Sequence, residues 1–345
     1  MDENELVSIV MPIKNAKYPF EKAIRSALSQ TFNNVQILVI DGTSENEIKD
    51  IIDKEFSSSE KITYIKAISN NKSFLRNEGI RHSKGKYISF LDPNDLLDPN
   101  YIAKMFEHLV YNFERCDLVI GGQTKKLNSR KNYKEKFYTY EQYEKKCFNN
   151  LNFDELENVY CKLYIASYIK NNHIFFDEEI KIGIDLTFNL KYLVKCKKIK
   201  TFEKKIYLYN EKARFENQEY IEDFFDHEKV YIKNLNEFLT SNNISNNIIN
   251  VLYIKLGYSD LIQDITYMKS KWIRLEDKVS YIIFKPEIID ALNNYKLSSL
   301  KYNFMNGVLK TGNRTFIKLI AYLLYYLKYK MRPARKYPTV LKSSS

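Results

Sequence analysis

Gly85-Lys86-Tyr87-Ile88-Ser89-Phe90-Leu91-Asp92-Pro93-Asn94-Asp95 is a short run of β-forming residues that stops on a cluster of oxygen-bearing side chains. The run over 87–91 predicts a strand, and Asp92-Pro93-Asn94-Asp95 predicts its end in a turn. Earlier runs have the same form. Val7-Ser8-Ile9-Val10-Met11 ends at Pro12. Val35-Gln36-Ile37-Leu38-Val39-Ile40 ends at Asp41-Gly42-Thr43-Ser44, a stretch suited to capping a helix that starts near Glu45. Ile62-Thr63-Tyr64-Ile65 predicts one more strand. Between the strands, Phe20 to Gln30 carries Phe20, Ala23, Ile24, Ala27 and Leu28 at helical spacing, and Ser73 to Arg81 predicts a shorter helix. The alternation predicts an α/β fold, a mostly parallel sheet flanked by helices on both faces.

In such sheets ligands sit outside the carboxyl ends of the strands. Pro12 with Lys14 and Asn15, then Asp41, then Asp92 to Asp95 all fall at such ends, so three distant polar clusters are expected to converge on one crevice. GxGxxG and GxxxxGK[ST] are both absent, which removes the usual dinucleotide and P-loop readings. Asp92, Asn94 and Asp95 offer hard oxygen ligands of the kind Mg²⁺ or Mn²⁺ takes when it carries a diphosphate. The same residues are ordinary turn chemistry, and their spacing alone does not choose between the two.

The chain has 345 residues, 44% hydrophobic and 28% charged, which excludes disorder and a disulfide-stapled miniprotein. Cys116, Cys147, Cys161 and Cys196 form no CxxC pair, so neither a zinc site nor a disulfide framework is expected, and a reducing cytoplasm fits. Met1-Asp2-Glu3-Asn4-Glu5 is acidic where an export signal is basic, so no signal peptide is expected. The net charge of +11 belongs to one end. Residues 291–345 hold eleven Lys and Arg with no Asp or Glu, and residues 1–290 are balanced at 43 of each sign.

Wound as a helix, Phe316, Leu319, Ile320, Leu323, Leu324 and Leu327 share one face, with Arg314, Lys318, Tyr325 and Lys328 opposite. The run is shorter than the roughly 20 apolar residues a bilayer crossing needs and contains a lysine. It predicts a helix lying on an anionic membrane surface, the rival reading being a terminal helix docked on the body or on a second subunit. No nucleic-acid-binding motif accompanies the basic tail, so no nucleic acid partner is expected. A homo-oligomer is left open.

Taken in order, Val7 to Asn15, Ala27 to Thr31, Val39 to Ser44, Arg76 to Ile80 and Gly85 to Asp95 closely resemble the family 2 glycosyltransferases of the GT-A fold. The resemblance continues at Cys161-Lys162-Leu163-Tyr164, Phe176-Asp177-Glu178 and Gly183 to Leu190. It covers roughly the first two thirds of the chain, and ordered blocks are more specific than any one of them. The resemblance implies that Pro12, Asp41 and Arg76 bind the nucleotide base and that Asp92 sits near ribose and metal. It also implies that Asn94 and Asp95 help hold Mn²⁺ or Mg²⁺ with the diphosphate, and that Asp185 is the general base. A helix N-cap is the plainer role for Asp185.

The family usually has Asp-Asp at Asp41-Gly42, Asp-x-Asp at Asp92-Pro93-Asn94 and Glu-Asp at Ile184-Asp185. Ser69-Asn70-Asn71 replaces its Asn-x-Gly. No QxxRW block is present, so single additions are expected rather than processive synthesis. The implied function is an inverting transfer from a nucleotide sugar, UDP-linked, to a hydroxyl of a glycan or lipid-linked glycan in surface polysaccharide synthesis. The expected location is the cytoplasm, peripheral on the inner face of the cell membrane. The alternative is a non-catalytic nucleotide-sugar or glycan-binding subunit on the same fold; Asn94 and Ile184 favour it, while Asp92, Asp95 and Asp185 stand against it.

After about residue 215 the pattern changes to long helical periodicity, through Phe224, Val230, Leu235, Ile249 and Leu252. The expected organisation is 1–110 as the nucleotide-sugar half of the GT-A domain and 111–215 as the acceptor half. Residues 216–300 then form a helical C-terminal domain and 301–345 the basic amphipathic tail.

Overall fold

The computed structural model describes residues 5–15, 20–111, 114–124, 134–149, 155–210, 224–242, 307–308, 310–313, 315–317 and 319–320. The chain divides into two compact units, Met1–Asn243 and Ile244–Ser345. The expected boundary at 210–220 falls almost wholly on 211–223, outside the described residues.

In the first unit the elements run β1 (Val7–Ile13), α1 (Phe20–Leu28), β2 (Val35–Asp41), α2 (Glu47–Glu55), β3 (Ile62–Lys66), α3 (Lys72–His82), β4 (Tyr87–Phe90), β5 (Leu96–Leu97), α4 (Tyr101–Glu107), β6 (Val110–Tyr111), β7 (Glu114–Arg115), β8 (Leu118–Thr124), β9 (Glu135–Thr139), α5 (Tyr140–Asn149), β10 (Lys162–Ile165), α6 (Ala166–Asn171), α7 (Ile184–Leu193), β11 (Lys198–Leu208) and α8 (Phe224–Ser241). Nine strands form one sheet in the order β3-β2-β1-β4-β10-β8-β11-β5, with β9 paired to β11.

The parallel winding expected for the first four strands is present: β1 pairs parallel with both β2 and β4, and β2 with β3. Beyond β4 the sheet is mixed, because β10 runs antiparallel to β4 and β8, and β5 and β9 antiparallel to β11. Hydrophobic patterning reports which faces a strand buries, whereas its direction is set by the connection that brings it back. The fold class, a central sheet flanked by helices, is as expected.

β1 and β2 are buried at every position because helices cover both faces. Phe20, Ala23, Ile24 and Ala27 of α1 pack into the core beside Ile9, Met11 and Ile37, as their spacing predicts. Pro12 is tolerated in a central strand for a specific reason. The Val10 carbonyl accepts from Leu91 N–H toward β4, and the Ile13 carbonyl accepts from Gly42 N–H toward β2. Alternation turns Pro12 toward β4, past the last β1–β4 pair, Val10 with Phe90, where its missing N–H removes no ladder bond. The strand order reverses here, with β2 and β3 on one side of β1 and β4 on the other, so the crevice lies at the switch point.

Two helix starts differ from expectation. α2 begins at Glu47 after Asn46, not near Glu45, because the Thr43 hydroxyl is spent on Asp41 and on the Glu45 carbonyl instead of capping. α3 begins at Lys72, capped by Asn71, whose side-chain oxygen accepts from the N–H groups of Ser73 and Phe74. In the second unit, Val308 and Ile317 are buried while Phe316 and Leu319 are 40% and 62% exposed. Of the apolar face expected over 316–327, Leu323, Leu324 and Leu327 lie outside the described residues. Among the described residues no helix is long and apolar enough to cross a membrane.

Candidate functional site

At the carboxyl end of β2, Asp41 is fully buried. One of its oxygens accepts from Thr43 N–H and Oγ1 at 2.8 and 2.7 Å, the other from Tyr64 OH at 2.7 Å and Lys66 Nζ at 3.0 Å. Burial pushes its pKa up, but the bonds from Tyr64, Thr43 and Lys66 outweigh that and hold it below the ordinary value. Gly42 follows because a Cβ there would stand 2.7 Å from the Ser69 carbonyl oxygen and 2.9 Å from Asn70 Cα. Loop 69–70 thus closes over this turn and leaves no room for the second aspartate usual in the family.

At the end of β4, Lys72 Nζ lies 3.2 Å from each carboxylate oxygen of Asp92. The Asp92 backbone N–H donates to Tyr207 OH at 3.2 Å, and that hydroxyl donates on to Asp95 Oδ2 at 2.8 Å. The other oxygen of Asp95 accepts from Asn210 N–H at 2.8 Å. Asp95 is fully buried and ties the turn to β11 and the residues after it. Asn94 is different: its amide oxygen is buried and accepts no hydrogen bond.

Asp185 lies in the first turn of α7, one residue inside the helix. It is not the N-cap; Gly183 is, at φ +63°, and a Cβ there would strike the Tyr231 ring at 2.2 Å. The Tyr231 ring of α8 thus packs onto the turn that aims Asp185. Arg76 Nη1 donates to Asp185 Oδ1 at 2.5 Å, Val159 N–H donates to Oδ2 at 3.3 Å, and Arg76 Nη2 stands 3.8 Å from Asp92 Oδ1. The guanidinium is 2% exposed and lies 4.9 Å from the centroid of Phe176, which stacks on Phe188 of α7 at 4.1 Å. Burial works against its charge, but Asp185 and Asp92 more than offset this and raise its pKa.

The structure therefore joins Arg76, Asp92 and Asp185 in one charged network. The resemblance groups Arg76 with Pro12 and Asp41; here its guanidinium faces the two carboxylates instead. Lys72, Tyr207 and Asn210 are participants that sequence reasoning missed, and Phe176 enters that reading without a role. Tyr207 sits near the end of β11, a strand of mixed polar and apolar residues, 112 residues from Asp95, with no local pattern to mark it. Thiol chemistry has no support, since burial pushes Cys116 up to about 11 and Cys147 and Cys161 up to about 12.

Among the described residues no three His, Cys, Asp or Glu gather as a metal cluster. What fits a divalent ion is narrower: the carboxylate of Asp92 and the unpaired amide oxygen of Asn94, hard donors that leave other positions to a ligand's own oxygens. Asp95 does not fit, because both its oxygens hold the turn.

The profile described as Glycosyl transferase family 2 matches residues 8–171. The uncharacterized glycosyltransferase EpsJ of Bacillus subtilis is 24% identical over 212 residues, 60% of this chain and 61% of that protein. The minor teichoic acid biosynthesis protein GgaB of the same organism is 31% identical over 116 residues, 32% of this chain and 13% of that one. The matches thus span less than two thirds of these relatives' own length. The crystal structure of S. aureus TarS 1-349, also solved in complex with UDP-GlcNAc, superposes with a TM-score of 0.58 at 15% identity, covering 94% of this chain and 92% of that one. That likeness shows the shared GT-A fold. Over residues 8–171 the chain is thus similar to glycosyl transferase family 2.

Proposed function

We propose that this chain is an inverting, non-processive glycosyltransferase that moves a sugar from a UDP-sugar to a hydroxyl of a surface glycan, free or lipid-linked. One observation carries the reading: a single buried guanidinium, Arg76, joins Asp92 at the end of β4 to Asp185 at the start of α7. The first carboxylate lies at the switch-point crevice and the second faces it from the other half of the domain, the arrangement a transfer between two bound substrates requires. The UDP-GlcNAc complex of TarS and the teichoic acid role in GgaB's name support the donor and acceptor classes.

In this mechanism Asp185 takes the proton from the acceptor hydroxyl as that oxygen bonds to the anomeric carbon. The bond from that carbon to the diphosphate oxygen breaks on the opposite face, nucleoside diphosphate leaves, and the configuration inverts. Arg76 is the positioning residue for Asp185. Lys72 and Arg76 place positive charge beside Asp92, where charge develops on the leaving group. Asp92 and Asn94 would hold Mn²⁺ or Mg²⁺, which when bound supplies further neutralisation of the diphosphate. Pro12 and Asp41 border the base end of the crevice. The basic amphipathic tail keeps the protein on the inner membrane face, where a lipid-linked acceptor is concentrated.

Nucleotide release from a panel of nucleotide sugars, with Mn²⁺, Mg²⁺ or EDTA, tests the reading. Slow metal-dependent hydrolysis of one UDP-sugar is expected; no binding of any nucleotide would mean that the crevice is not a donor site.

A further inference from the structure

A cavity of about 270 Å³ is lined in part by residues of the segment that holds Asp185, and the mechanism above makes no use of it. Lys134, Lys136, Lys146 and Lys162 line it, with Glu155 and Glu203 as its acids. Glu155 is already engaged, accepting from Lys146 Nζ at 2.6 Å and Tyr143 OH at 2.8 Å. Among the described residues Lys134 and Lys136 form no ion pair, and both are exposed at the edge of the sheet.

Lys162 is the unusual member. It is 1% exposed, and its ammonium donates to the Asn158 carbonyl at 2.6 Å, to Asn158 Oδ1 at 3.2 Å and to the Tyr160 carbonyl at 3.4 Å. Among the described residues no carboxylate pairs with it. A buried charge without a counter-ion is costly, and an anion entering the cavity would compensate it. Burial lowers its pKa to about 8, as expected of an ammonium that lacks such a partner. The adjoining residue, Cys161, holds φ +58°, a strained conformation for a side chain of its kind, with its thiol on the Gly122 carbonyl.

The cavity is also placed next to the reacting groups. Its wall residues Asn158 and Tyr160 flank Val159, whose N–H binds Asp185. Tyr160 stacks on Tyr207 at 4.7 Å, and the Tyr207 hydroxyl holds the backbone of Asp92. We infer that this cavity is an acceptor subsite for a phosphate group, held by Lys134 and Lys136 over the buried ammonium of Lys162, which sets the neighbouring acceptor hydroxyl toward Asp185. The inference rests on the glycosyltransferase reading and gives its acceptor a chemical class: a glycan bearing phosphate, either within its backbone or as the diphosphate of a lipid link.

Isothermal titration of the full chain tests it with two probes, a phosphodiester-linked glycerol trimer and an alkyl diphosphate-linked N-acetylglucosamine. Free glycerol and N-acetylglucosamine are the uncharged controls. One phosphate-bearing probe should bind and identify the source, with affinity falling as salt rises. Lys134→Ala/Lys136→Ala should weaken it at least tenfold, and Lys134→Arg/Lys136→Arg should restore it, with folding of each variant checked by its thermal transition. Binding of neither probe, equal affinity in the alanine variant, or displacement of the probe by UDP would overturn the inference. UDP-sugar is titrated separately into the wild type. Donor binding without probe binding removes only the subsite, whereas probe binding without any nucleotide binding removes the glycosyltransferase reading.

Discussion

Arg76 Nη1 meets Asp185 Oδ1 at 2.5 Å across 109 residues of sequence, and the same guanidinium stands 3.8 Å from Asp92. The expected base is thus fixed in direction before any substrate arrives. Asp185→Asn keeps the size of the side chain and removes its ability to take a proton. Transfer in single turnover should fall by about 10² to 10⁴-fold, the range for loss of a general base, while UDP-sugar affinity stays close to the wild-type value. Equal rates would remove Asp185 from the base role.

Arg76→Met leaves two carboxylates facing one another without their cation. The cost to stability should be about 3 kcal/mol, the low end for breaking a buried pair, because the carboxylate side chains are 22% and 17% exposed. Urea unfolding measures it. Arg76→Lys should recover only part of the loss, since an ammonium cannot reproduce the two-pronged contact.

Asn94 and Tyr207 separate metal binding from turn stability. Asn94→Ala removes an oxygen that accepts no hydrogen bond, so the melting temperature should barely move while the Mn²⁺ concentration for half-maximal activity rises. Tyr207→Phe removes a donor from the buried carboxylate of Asp95 and should cost about 1 to 3 kcal/mol. If Asn94→Ala leaves the metal requirement unchanged, the amide is not a ligand.

Much of the first half was legible because its information is local. β1, β2 and β4 announce themselves by runs of β-forming residues, although β1 continues through Pro12 to Ile13, and parallel winding follows from the helices between them. The partners of the polar residues at their ends were not legible. Asp95 carries the same charge as Asp92 and sits three positions on, yet its oxygens are consumed by Tyr207 and Asn210. Nothing near Asp95 encodes that choice; it depends on where β11 returns. Asp185 reads as a helix cap from its neighbours, and only the left-handed Gly183 moves the cap back and places the carboxylate inside the first turn. The antiparallel entry of β10 has no local signature either.

Lys162 carries a pH signature. Its folded pKa of about 8 lies below the ordinary 10.5, so between those values the unfolded chain binds a proton that the folded one does not. Stability should therefore rise with pH across this window relative to Lys162→Met, which lacks the transition. Denaturant midpoints of both proteins from pH 7 to 10.5 check the sign; a parallel pair of curves would mean that Lys162 titrates normally.

The tail prediction is independent of the catalytic site. In liposome flotation, the full chain should be recovered with anionic vesicles and not with neutral ones, and removal of residues 311–345 should abolish that recovery. Equal recovery of both chains would remove the membrane claim.

The ties from Tyr207 and Asn210 to Asp95 bear on the order in which the protein is made. A nascent chain emits the 92–95 turn more than 110 residues before the groups that hold it, since the sequence separations are 112 and 115. At typical synthesis rates that interval is on the order of ten seconds. The core under β1 to β4 is completed by later residues as well, among them Phe202 and Ile206, and a carboxylate cannot be buried without its donors. A chain cut short of residue 207 lacks both Tyr207 and Asn210 and so leaves the two oxygens of Asp95 without these donors.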